Sequence, residues 1–123
     1  MTYQIGKHFD FAASHTLDNL PDGHPCRRLH GHNYTVEIIL AGPLDKVGMV
    51  LDYRALAPFK AFIDDTLDHR HLNDIAYFAK GSVSPTAEAL AHYLYLKADG
   101  LLGFVVKAVR VSETGKTWAE YGR

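Results

Sequence analysis

Cys26-Arg27-Arg28-Leu29-His30-Gly31-His32, running on into Asn33-Tyr34-Thr35-Val36-Glu37-Ile38-Ile39-Leu40, is the stretch that decides the fold. It holds the only cysteine and two of the eight histidines. Tyr34, Val36, Ile38 and Leu40 recur at every second position, the period of a strand with one face in a core. On that strand His30 and His32 point the same way as the apolar residues. Their Cβ atoms then stand about 6–7 Å apart, at a rise of ~3.3 Å per residue. Two ligands of one small metal ion need about that span. Cys26, four residues upstream of His30, would lie near such an ion but off the strand.

A matching strand precedes it. In residues 3–15, Tyr3, Ile5, Phe9, Phe11, Ala13 and His15 share one face. Between the two strands lie Asp18, Asn19, Pro21, Asp22, Gly23 and Pro25, all loop formers. Pairing the strands as a long-looped hairpin brings His15, late in the first, to His30 and His32, early in the second. Three imidazoles suit Zn²⁺ and leave a fourth position open for Lewis-acid chemistry. The bland alternative is three polar residues at strand ends. A His-x-His pair on an apolar face with a cross-strand histidine favours the metal. Cys26 stays open between two roles: fourth ligand of a closed structural site, or thiolate base or nucleophile beside an open one.

The remaining elements follow from caps and periodicity. Asp52 caps a helix to about Leu67, with Leu56, Phe59, Phe62, Ile63 and Leu67 on one stripe. Pro58 requires either an irregular first turn or a regular helix beginning near Ala57. Asp68 to Asn73 ends that helix, and the chain to Val83 reads as loop. Ser84 as cap and Pro85 at the first helical position open a second helix, which Gly100 stops after about Asp99. Phe104 to Glu113 is a third strand, with Val105, Val109, Val111 and Glu113 on one face; Thr117 to Tyr121 is a fourth. The order ββααββ gives a four-stranded antiparallel sheet with two helices packed on it, an α+β domain. Its two open edges predict an oligomer.

Composition narrows the function. The chain has 123 residues, which fits one domain over 1–123. Thirteen basic residues against fourteen acidic ones argue against a nucleic-acid binder that works by neutralising phosphate. One cysteine forms no internal disulfide and fits a reducing compartment. The N-terminus carries no apolar secretory core, and no apolar run approaches the ~20 residues of a membrane span. A soluble cytoplasmic protein is the expectation.

Two further groups carry chemistry. Asp68 beside His69 can orient the imidazole or set its charge, although a helix C-terminus also favours His and Arg for its dipole. Glu113 ends an apolar strand face, so it is either exposed at the tip or aimed into a pocket, where an amidine-like N–H pair would partner it. His30-x-His32-x₄-Glu37 also resembles a cupin metal motif. A cupin barrel needs many more strands and almost no helix, and Glu37 faces away from His32 on a regular strand.

Phe11-Ala12-Ala13-Ser14-His15, Cys26-x₃-His30-Gly31-His32, Gly48-Met49-Val50-Leu51-Asp52-Tyr53, Leu67-Asp68-His69 with Leu72-Asn73, Pro85-Thr86-x-Glu88 and Ser112-Glu113-Thr114 occur in that order over nearly the whole chain. Together they resemble the 6-pyruvoyltetrahydropterin synthase / 6-carboxytetrahydropterin synthase family. The Cys-x₃-His-x-His spacing is closest to the bacterial carboxytetrahydropterin branch. The resemblance implies the T-fold (tunnelling fold), with sheets of several subunits joined into a barrel, as a hexamer of two stacked trimers or a tetramer. It implies zinc held by His15, His30 and His32, a catalytic thiol at Cys26 and an acid/base relay of Asp68 and His69. Glu113 would anchor the pterin and Thr86 would contact it, at a site between subunits. The implied reaction converts 7,8-dihydroneopterin triphosphate to 6-carboxy-5,6,7,8-tetrahydropterin, releasing acetaldehyde and triphosphate, on the route to queuosine. A pyruvoyl-forming or related pterin side-chain lyase is the alternative within the family, and a non-catalytic pterin- or metal-binding module the alternative outside enzymes. Arg27, Arg28 and Lys116 are the cations on hand for the triphosphate.

Overall fold

The computed structural model describes residues 2–79 and 82–123. The expected loop across Lys80 and Gly81 lies outside them. β1 spans Tyr3–His15 and β2 spans His30–Gly42. They pair antiparallel in unbroken register, from Tyr3 opposite Gly42 to His15 opposite His30. Phe9, Phe11, Ala13 and His15 of β1 and Tyr34, Val36, Ile38 and Leu40 of β2 are buried on one face, as the alternation predicts.

The first helical segment has three parts. Asp52 caps a 3₁₀ turn, Tyr53–Leu56, by accepting the Arg54 N–H at 2.9 Å. α1 proper, Ala57–Phe62, has Pro58 in its first turn, where the missing N–H costs nothing. The chain then widens into a π turn, Ile63–Leu67, closed by the Asp68 N–H on the Ile63 carbonyl at 3.0 Å. Leu56, Phe59, Ile63 and Leu67 stay buried throughout. The extra residue of the π turn rotates Asp68 and His69 out of the helix and against the edge of β1.

There the expected loop is in part a strand. β3, Arg70–His71, pairs parallel to β1 through Ala13 and Ser14. The sheet therefore has five strands in the order β3-β1-β2-β4-β5 and is mixed rather than four-stranded and antiparallel. Two residues carry no alternation to read. What docks them is tertiary: the Ala12 N–H donates to Asp68 Oδ1 at 2.9 Å and the His69 N–H to the Ala12 carbonyl at 2.6 Å.

α2, Ala87–Leu102, starts two residues later than Ser84-Pro85 predict. Thr86 is its cap, with Oγ1 accepting the Ala89 N–H at 3.1 Å. It ends at Gly103 rather than Gly100, because Gly103 adopts φ 75°, ψ −149°, a region essentially confined to glycine. Leu90, Ala91, Leu94 and Ala98 pack on the sheet, and burying each leucine contributes roughly 1.5–3 kcal/mol.

β4, Val106–Ser112, pairs with β2, and β5, Ala119–Gly122, pairs with β4. Leu40 faces Val106 whereas Ile39 faces Ala108, so Lys107 is an extra residue. This bulge turns Val106 into the core in place of the expected Val105. Glu113 lies one residue past β4.

Candidate active site

The buried end of the β1–β2 hairpin carries the three histidines. One nitrogen from each of His15, His30 and His32 lies within 4.8 Å of the others. His15 is fully buried. Its Nδ1–H points at the Pro85 carbonyl at 2.8 Å, with the Tyr34 hydroxyl at 3.2 Å. His30 Nδ1 meets the Arg28 carbonyl at 2.6 Å. A carbonyl only accepts, so both Nδ1 atoms carry hydrogen and both Nε2 atoms present lone pairs. Those lone pairs face each other across 2.9 Å. Two acceptors that close repel unless a cation or proton lies between them. The donor set is thus what a metal ion requires, and the carbonyls act as the outer partners that fix ligand tautomers. Burial, foremost, holds the His15 imidazole below its ordinary pKa, outweighing the Pro85 carbonyl, and keeps it neutral.

Glu113 reaches this centre. By extension of the β2–β4 register it lies beside Tyr34, on the helix side of the sheet. Its Oε2 stands 3.2 Å from His32 Nε2 and 3.6 Å from His15 Nε2. Burial, and after it this carboxylate, raises the Tyr34 hydroxyl pKa.

Asp68 and His69 form the expected pair, Oδ2 to Nδ1 at 2.9 Å. His69 takes φ 58°, uncommon away from glycine, and is held there by its N–H bond to Ala12. Asp68 is held below the ordinary aspartate pKa, first by the Ala12 N–H and then by His69. His69 lines a cleft of about 480 Å³ with Ser14, Gly31, His32, Asn33 and His71, so the cleft reaches the edge of the histidine centre.

Cys26 sits on a 3₁₀ turn, Pro25–Arg27, with its backbone N–H donated to His24 Nδ1 at 3.1 Å. Its thiol is exposed. It does not belong to the convergent group of ligand atoms, so a closed three-histidine, one-cysteine site is not formed. Among the described residues no hydrogen bond joins its sulfur to Asp68, His69 or the histidines. Arg27 donates to the Asp18 and Leu20 carbonyls, both at 2.8 Å, and so braces the loop instead of offering a free cation. Thr86 faces an apolar cavity of about 570 Å³ with Leu17, Leu20 and His92 while capping α2.

Sequence reasoning missed the supports. The Asn73 amide accepts from the Thr16 N–H and donates to the Thr16 carbonyl, each at 2.9 Å, fixing the chain just after His15. The Asn73 position was visible in the Leu72-Asn73 motif, but nothing local signals a partner 57 residues away. Pro85 acts through its carbonyl, which no side-chain pattern reveals.

Known proteins resemble this chain in sequence and fold. A cyanobacterial 6-carboxy-5,6,7,8-tetrahydropterin synthase from Synechocystis is 36% identical, covering 95% of this chain and 91% of that protein. A 6-pyruvoyl tetrahydrobiopterin synthase from Drosophila melanogaster is 40% identical over 75% of this chain and 56% of its own length. The solved structure of Caenorhabditis elegans 6-pyruvoyl tetrahydropterin synthase matches with a TM-score of 0.89 at 28% identity, covering 100% of this chain and 96% of that one. Residues 4–123 match the family described as 6-pyruvoyl tetrahydropterin synthase, and the chain, as its motifs indicated, belongs to that family.

Proposed function

We propose that this chain is a zinc-dependent lyase that converts 7,8-dihydroneopterin triphosphate to 6-carboxy-5,6,7,8-tetrahydropterin, with loss of acetaldehyde and triphosphate, in the supply of queuosine. The observation that carries the reading is the pair of Nε2 lone pairs of His15 and His30, 2.9 Å apart, with His32 beside them. His15, His30 and His32 would hold the metal. Bound there, zinc supplies a Lewis acid that makes the C–H next to a substrate hydroxyl more acidic. The chain's own groups do the rest. Cys26, as thiolate, removes a proton from the side chain of the substrate. His69 exchanges protons with the reacting oxygens, its ring oriented by Asp68. Glu113 accepts from the 2-amino and N3–H edge of the pterin, a charge-assisted pair. Thr86 Oγ1 already accepts the Ala89 N–H, which leaves its hydrogen free for a ligand.

Assembly belongs to the same proposal. His69 and the metal candidate His32 line one cleft, whereas among the described residues no hydrogen bond within one chain links His69 to Cys26. A site shared between copies supplies that link. Among the described residues the Tyr3–Phe11 edge of β1 has no partner strand, nor has the outer edge of β5, so two sheet edges are open to pairing. A hexamer or tetramer closed through these edges is the expected form, and light scattering at micromolar concentration tests it; a stable monomer would count against it.

The direct test is mass spectrometry of the products from dihydroneopterin triphosphate. A 6-carboxytetrahydropterin product supports the reading. A 6-pyruvoyl product selects the second reading, which the Drosophila relative favours. No turnover, with pterin still bound, would indicate a binding module, against which the joint presence of Cys26, Asp68 and His69 argues.

A further inference from the structure

Glu113 is positioned for a second task besides holding a pterin. Ligand atoms of a four-coordinate zinc site lie about 3.3 Å apart, because Zn–N and Zn–O bonds are about 2.0–2.1 Å in a tetrahedron. Glu113 Oε2 stands 3.2 Å from His32 Nε2 and 3.6 Å from His15 Nε2. Those are the separations of a fellow ligand from two of the three histidines, while the carboxylate falls outside the group that His30 completes. The His15 Nε2 has no hydrogen to donate, since its Nδ1 carries the hydrogen bonded to Pro85. A carboxylate oxygen beside that lone pair is therefore not there to accept a hydrogen bond from it. Both atoms are acceptors, and a shared cation is what reconciles them. The carboxylate approaches His15 and His32 and is not part of the tight three-nitrogen group. It thus comes in from one side, on a residue past the end of β4 that no strand ladder holds.

We infer that, before substrate binds, Glu113 closes the three-histidine metal centre as its fourth ligand, and that the pterin draws this carboxylate off the metal and opens the position the substrate needs. This rests on the metal reading above. One residue would then couple recognition to activation: the group that identifies the pterin edge is the same group whose departure exposes the Lewis acid. A metal-bound water without substrate would be scarce, which protects the site from stray anions.

The test uses the purified chain loaded with Co²⁺ as a spectroscopic stand-in for zinc and azide as a small anionic probe. In the unaltered protein the visible cobalt bands respond to azide weakly. In Glu113→Gln azide binds on the order of ten-fold more tightly, because no carboxylate must first leave. The metal affinity of Glu113→Gln, measured by competition with a chromophoric chelator, falls by at least about ten-fold, the low end of what losing even an outer partner of a metal site costs. Glu113→Asp, one methylene shorter, moves both readouts in the same direction, and unfolding curves establish that each variant is folded. Failure of the two claims is distinguishable. An unaltered chain that takes up neither cobalt nor zinc overturns the metal reading and this inference with it. A chain that takes up cobalt and binds azide as tightly as Glu113→Gln does overturns this inference alone.

Discussion

His15 Nε2 and His30 Nε2 lie 2.9 Å apart while each ring donates its Nδ1 hydrogen to a main-chain carbonyl, Pro85 for one and Arg28 for the other. The carbonyls fix which nitrogen is bare, and the hairpin register forces the bare nitrogens together. Without a cation this contact is repulsive. Metal-free protein should therefore be less stable than metal-loaded protein. Zinc at a hundred times its Kd should add about 2.7 kcal/mol. Calorimetry with zinc and with a chelator measures the gap, and His30→Ala should abolish it. An equal Tm in both conditions would remove the metal from the centre.

Cys26 is exposed and, among the described residues, makes no hydrogen bond to His69, and each is proposed to act on one substrate. Cys26→Ala and His69→Ala should each lower kcat by at least about 10²-fold while metal content stays unchanged. Co-expression of the two variants should recover activity if the site spans two copies. Random mixing leaves about one quarter of sites with both groups intact, one half multiplied by one half. Mixed assemblies as inactive as either parent would place the whole site in one chain.

Asp68 gives a pH signature. Its folded pKa is lowered by the Ala12 N–H, chiefly, and by His69. A depressed carboxylate stabilises the fold fully above its unfolded pKa near 4, and that stability is lost as pH falls through the folded value. Asp68→Asn should therefore be less stable than the parent at neutral pH and approach it in acid. Urea unfolding from pH 7 down to pH 3 reads the difference, and a constant gap would refute the Asp68 contribution.

Gly100 and Gly103 should respond oppositely to alanine. Gly100 is inside α2 and a Cβ there meets nothing within 4 Å, so Gly100→Ala should stabilise by roughly 0.5–1 kcal/mol. Gly103 at φ 75° should lose about 1–3 kcal/mol on the same change. Chemical denaturation separates the two, and a stabilising Gly103→Ala would show that the helix end had been misassigned.

Where the information lay differs from one element to the next. The β1–β2 hairpin was legible because its alternation is long, and pairing the two strands brought His15 to His30 and His32, while the register that sets His15 opposite His30 came from the structure. The composite motifs made the family legible. Asp52 as a cap and the Pro58 irregularity were local chemistry and read correctly. β3 was not legible, since two residues have no period and are docked by Asp68 and Ala12 from opposite ends of the hairpin–helix segment. The slip at Lys107 exchanged Val105 for Val106 in the core, because a bulge is settled by pairing between strands. Thr86 rather than Ser84 capped α2, through its hydroxyl on the Ala89 N–H, and Gly103 rather than Gly100 ended it, through its positive φ, a conformation that residue type alone does not assign to one glycine over another. So the sequence by itself determined which residues could make a metal centre, a thiol and a relay, since residue type and strand period are local properties. Only the tertiary structure decided that Cys26 stands outside the histidine group, that carbonyls of Pro85 and Arg28 set the imidazole tautomers, and that Glu113 reaches the centre. Those are contacts between chain segments far apart in sequence, and only close packing fixes their distances.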